Sequence, residues 1–142
     1  MHAGNSTSGN IKHSKLWKAF FALLLCIQLT SYFFFDEFEY DLPSLVGEFL
    51  LIPLLIVSVF GYAFQKKVLW RNVHILVIVL SIFYEAYTFR DFEAVDLEKN
   101  QRLFLYAMLV PLVLLYVATY YAAIKYALFS SHIWKGLPQE NL

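Results

Sequence analysis

Four apolar runs constrain this chain more than any other feature, because each can cross a hydrocarbon core of about 30 Å as a helix of roughly 20 residues. They are Leu16 to Phe35, Ser44 to Phe64, Val68 to Phe89 and Leu103 to Phe129. With 142 residues, 60% hydrophobic and 15% charged, a soluble domain could not hide this much apolar surface. The expected fold class is therefore an all-α integral membrane protein with four transmembrane helices in one bundle. Residues 1–13 are expected to form a disordered cytoplasmic N-terminus, 14–129 the transmembrane domain and 130–142 a cytoplasmic tail. Tyr32 to Phe35 offers no small-x-small cleavage site, so the first run is read as a retained span and not a signal peptide.

The basic residues set the expected orientation. Eight of the eleven Lys and Arg residues, namely Lys12, Lys15, Lys18, Lys66, Lys67, Arg71, Lys125 and Lys135, fall at the ends and the second connection. Arg90, Lys99 and Arg102 fall on the other side. The positive-inside rule then places both termini in the cytoplasm of a cell membrane, read as a bacterial inner membrane. Trp17, Trp70 and Trp134 stand beside basic residues at that cytoplasmic boundary, so with Lys18 and Arg71 they are read as interfacial anchors. The outer loops carry Asp36, Glu37, Glu39 and Asp41 in one and Asp91, Glu93, Asp96 and Glu98 in the other. Their spacing is not that of an EF-hand.

The two halves of the chain are related. Leu16-Trp17-Lys18 aligns with Leu69-Trp70-Arg71, Phe35-Asp36-Glu37-Phe38-Glu39 with Phe89-Arg90-Asp91-Phe92-Glu93, and the surroundings of Pro53 with those of Pro111. This suggests two tandem helical hairpins, a 2+2 repeat whose units share one orientation across an axis along the membrane normal.

One stripe of polar residues could carry chemistry. At 100° per residue, Arg71, His74, Ile78, Ser81, Glu85 and Thr88 lie within about 100° of arc on the third span. Lipid cannot satisfy such side chains, so they are expected to face protein or a water-filled space. In the repeat, Gln28 and Tyr32 take the places of Ser81 and Glu85, which suggests an interior shared by the first and third spans. Glu48 and Glu85 are the only carboxylates inside spans, at similar depth. Facing one another, they would share a proton or hold a cation. Glu85, Ser81, His74, Glu48, Gln28 and Tyr32 are thus the candidate binding site or proton path.

Other chemistry is not supported. A single intramembrane histidine lacks partners for a metal, so no metal or cofactor is expected. Cys26 is the lone cysteine and reads as a small buried hydrophobe. Neutral net charge gives no case for nucleic acid. No nucleophile-base set, phosphate loop or zinc motif is present, so an enzyme is not the expected class. The first functional expectation is a non-enzymatic membrane subunit, assembly or protective partner, in contact with the bilayer and with another membrane protein or further copies of itself. The alternative is a small oligomeric cation- or proton-coupled transporter or channel using Glu85 and Glu48. A lipid- or quinone-handling enzyme is a third and weaker possibility.

Overall fold

Every regular element among the described residues of the computed structural model is helical, and four of these helices are long and apolar enough to span a membrane: Lys15–Phe33, Leu42–Phe64, Arg71–Arg90 and Lys99–Phe129. The structure describes residues 7–33, 41–92 and 98–135, with side chains for 15–33, 41–90 and 98–135. In chain order the elements are α1 (Thr7–Phe33), α2 (Leu42–Val46), a π turn (Gly47–Leu51), α3 (Ile52–Phe64), α4 (Arg71–Phe92), α5 (Lys99–Ile124), a second π turn (Lys125–Phe129) and α6 (Ser131–Lys135). The second long helix is therefore α2, π turn and α3 in continuation, and the fourth is α5 with its π turn.

Element ends differ from the hydropathy boundaries for local reasons. α1 begins at Thr7, so part of the segment expected to be disordered is helical. Extending an existing helix fixes one residue per bond and avoids the cost of nucleation. The third helix begins at Arg71, not Val68, because the preceding residues make the turn. Gln65 (φ 53°) closes α3 in the left-handed region, the Lys66 N–H reaches back 3.1 Å to the Gly61 carbonyl, and Leu69 (φ 58°) is left-handed as well. At the start of α5 the Glu98 N–H donates to Gln101 Oε1 at 3.2 Å, so this acidic residue caps a helix.

The second long helix is the centre of the assembly and packs against the other three. Its Leu55 joins Val77, Ile78, Ala123 and Ala127 in one apolar cluster, while Ile56 and Val59 join Leu24 and Ala122 in another. Ala122 and Ala123, adjacent and fully buried, serve the two clusters in turn. Small side chains there let backbones approach closely. The opposite faces are apolar and exposed: Leu103, Phe104, Met108, Val110 and Leu114 of α5 have no cover among the described residues.

At the N-terminal end of the second long helix, Asp41 is the N-cap. Its carboxylate accepts from the Ser44 N–H (3.2 Å) and the Tyr87 hydroxyl (2.9 Å), tying this end to α4. Those two donors, Ser44 first, hold the Asp41 carboxyl below its ordinary value. A depressed folded-state value means that the tie contributes fully above the unfolded range, near pH 3.8, and is lost as pH falls through the lower folded value. Hydrogen exchange at the Ser44 amide is expected to accelerate over that acid window beyond its intrinsic rate. In Asp41→Asn, which still caps, the window should vanish; an unchanged profile would refute the tie.

Candidate functional site

The site begins with a hydrogen-bond register. In the π turn of the second long helix the Ile52 N–H donates to the Gly47 carbonyl, five residues back. In that register the next N–H would serve the Glu48 carbonyl, but residue 53 is proline and has none. The Glu48 carbonyl is therefore left to side chains of α1: Tyr32 Oη approaches at 3.3 Å and Gln28 Nε2 at 3.4 Å. Both bonds are long, as expected for side chains reaching across to a neighbouring helix. The polar residues on the first helix thus reach the backbone of the second.

The same turn aims the Glu48 side chain at α4. Gly47 lies beneath the Tyr84 ring, where an added Cβ would come within 2.2 Å of Cζ, and the Tyr84 hydroxyl donates to Glu48 Oε1 at 3.1 Å. Only glycine permits that approach. Below this pair the four long helices enclose a cavity of about 190 Å³, lined among others by Gln28, Glu48, Ser81, Glu85, Tyr116 and Thr119. Glu85 interacts electrostatically with Glu48 and accepts a hydrogen bond from the Tyr116 hydroxyl. Among the described residues no Lys, Arg or His pairs with either carboxylate. Ser81 is 2% exposed, and its hydroxyl lies close to the buried Tyr120 hydroxyl, the two interacting with each other.

The inner half of the stripe has a different surrounding. His74 is 1% exposed, with Nδ1 2.7 Å from Ser58 Oγ and Nε2 2.6 Å from the Val68 carbonyl. Its ring stands edge-on to Tyr126 (centroids 4.9 Å) and near Trp134 (5.7 Å). The Tyr126 hydroxyl accepts from the Val68 N–H and donates to the Lys66 carbonyl, each at 2.9 Å, closing the connection between the second and third helices. Trp134 Nε1 donates to the Tyr126 carbonyl at 2.7 Å. Within the segment expected to be a cytoplasmic tail, Ser131–Lys135 fold back as α6 and seal this end of the bundle. Arg71 donates to the carbonyls of Ala127 (2.6 Å) and Leu128 (3.2 Å), where a helix end leaves carbonyls free and a cation suits the dipole.

The expected anchors divide. Trp70 is 79% exposed, whereas Trp17 packs against Phe20, Tyr62 and Tyr121. Lys18 lies 5.2 Å from the Phe64 ring centroid. Of the acidic loop residues, Asp41 and Glu98 are helix caps; Asp36, Glu37, Glu39, Glu93 and Asp96 lie outside the described residues, as does the Asp91 side chain. Cys26 is exposed on α1 and not buried. Tyr84, Tyr116 and Thr119 join the site without having been singled out as candidates. The four-residue steps from Ser81 to Glu85 and from Tyr116 to Tyr120 were the available signal.

Comparison with protein-family models, with curated proteins and with solved structures finds no match. The functional reading rests on the geometry of the cavity.

Proposed function

We propose that this chain is a four-span integral membrane protein that takes up a proton or small cation between Glu48 and Glu85 and passes it across the bilayer. One observation carries the reading: the only two carboxylates within the long apolar helices line a single cavity, with polar groups from all four helices and no basic partner among the described residues. A carboxylate in a low-dielectric interior must be neutralised by a proton or a cation, and the tyrosine hydroxyls and Ser81 supply further oxygen ligands. Lipid surrounds the apolar outer faces in this reading. Both termini lie on the cytoplasmic side of a cell membrane of bacterial inner-membrane type, as the Lys and Arg distribution directs, and the halves are tandem hairpins.

In proteoliposomes, wild-type protein is expected to carry proton or monovalent-cation flux that Glu85→Gln abolishes while its unfolding transition stays in place. Wild-type flux no greater than that of empty vesicles would overturn the proposal. The uncovered apolar face of α5 favours a second reading, a non-enzymatic membrane subunit or assembly partner. Native mass spectrometry of the same gently solubilised preparation separates the two, since a subunit brings a stoichiometric second protein and a transporter appears alone or as copies of itself.

A further inference from the structure

Glu85 borders more than the central cavity. With Tyr116 it also lines a groove of about 480 Å³ on the outside of the molecule, between α4 and α5, whose other walls include Val113, Val117, Tyr120 and Tyr121. The two residues form a partition, with the cavity inside and a surface of Val, Ile, Phe and Tyr side chains outside. No charged side chain other than Glu85 lines that groove. A hydrated ion gains nothing on such a route, because apolar walls cannot replace its water. A ligand with an apolar body does, and the groove falls within the range of about 300–1,000 Å³ found for small-molecule sites.

The two volumes fix how a ligand would divide. The cavity of about 190 Å³ holds a small charged head but no bulky body, and the groove holds the body. Two buried hydroxyls that lie close to each other sit near the partition: Ser81 borders the cavity and Tyr120 borders the groove. A protonated amine placed against Glu85 would have these two oxygens, one from each compartment, among its neighbouring acceptors. The faces of Tyr116 and Tyr120 favour a cation as well, while Tyr121 already has the Lys125 ammonium 5.7 Å from its ring centroid. Resting on the reading of the cavity as a cation site, we propose that the site is entered sideways, between α4 and α5, by a lipophilic organic ammonium ion whose head displaces the Tyr116 hydroxyl from Glu85.

The test uses the full chain in lipid nanodiscs with radiolabelled octylamine, protonated at neutral pH, and empty nanodiscs as the partition background. Saturable binding is expected, weakened about tenfold or more in Glu85→Gln and in Val117→Trp, which fills the groove. Val110→Trp, on the same helix away from the groove, should bind as wild type, and all variants are checked for an unchanged unfolding midpoint. Octanol competing as well as octylamine would show a neutral-lipid groove and overturn the proposal, as would full binding in Val117→Trp. Small-cation flux in proteoliposomes without octylamine binding overturns sideways entry and leaves the cavity reading standing. Absence of both flux and binding overturns the two together.

Discussion

Gly61→Ala is expected to destabilise the fold by about 2–4 kcal/mol, a large loss for one added methyl group. The new Cβ would fall 2.3 Å from Cζ of Tyr126 and 2.6 Å from its hydroxyl oxygen. A ring tip can often swing aside, but this one is 0% exposed, packed between His74 and Trp134, and held by two backbone groups of the connection. Moving it breaks both bonds, at about 0.5–1.5 kcal/mol each, and opens the inner seal. Chemical unfolding in bicelles measures the loss. In a Tyr126→Leu background the same glycine substitution should cost far less, because the clash is gone. Equal costs in the two backgrounds would refute the wedge. Gly47 under Tyr84 is the milder counterpart, since that ring is half-buried and its hydroxyl has a partner in Glu48 that moves with it.

These contacts show which physics hydropathy carries. Four apolar stretches specify four long helices because length against bilayer thickness is a property of residue type alone. The burial of His74, Ile78 and Ser81 follows from their common face, and the small residues Gly47, Ser58 and Gly61 mark where the second helix approaches its neighbours. What composition does not encode is hydrogen-bond register. Pro53 reads in sequence as a kink paired with Pro111, yet its consequence is a freed Glu48 carbonyl that Gln28 and Tyr32 approach. Nor does periodicity reveal that the stripe divides between two partners. Its inner members meet Tyr126 and Trp134, which come from the fourth helix and α6, far along the chain. Trp134 and Arg71 also hydrogen-bond carbonyls near the end of the fourth helix, contacts that residue type and boundary position do not encode.

His74 decides whether the stripe is one path or two structures. The Val68 carbonyl is an acceptor only, so the proton sits on Nε2, and Nδ1 accepts from the Ser58 hydroxyl. The Ser58 proton has a competing acceptor, the Leu54 carbonyl at 3.2 Å, but the histidine is nearer. Both ring nitrogens are thereby satisfied within the inner seal, and neither bonds Ser81 or Glu85. His74→Phe keeps an aromatic ring but strands the Val68 carbonyl, while Ser58 falls back on the Leu54 carbonyl, so it is expected to cost about 1–3 kcal/mol in stability. Ser58→Ala combined with it should cost less than the sum of the single changes, since they remove one bond in common. Flux per folded molecule should remain at the wild-type level, in contrast to Glu85→Gln, which should retain the fold and lose flux. A His74→Phe protein that unfolds like wild type but carries no flux would reverse this division and restore a continuous proton path from Glu85 to the His74 end of the bundle.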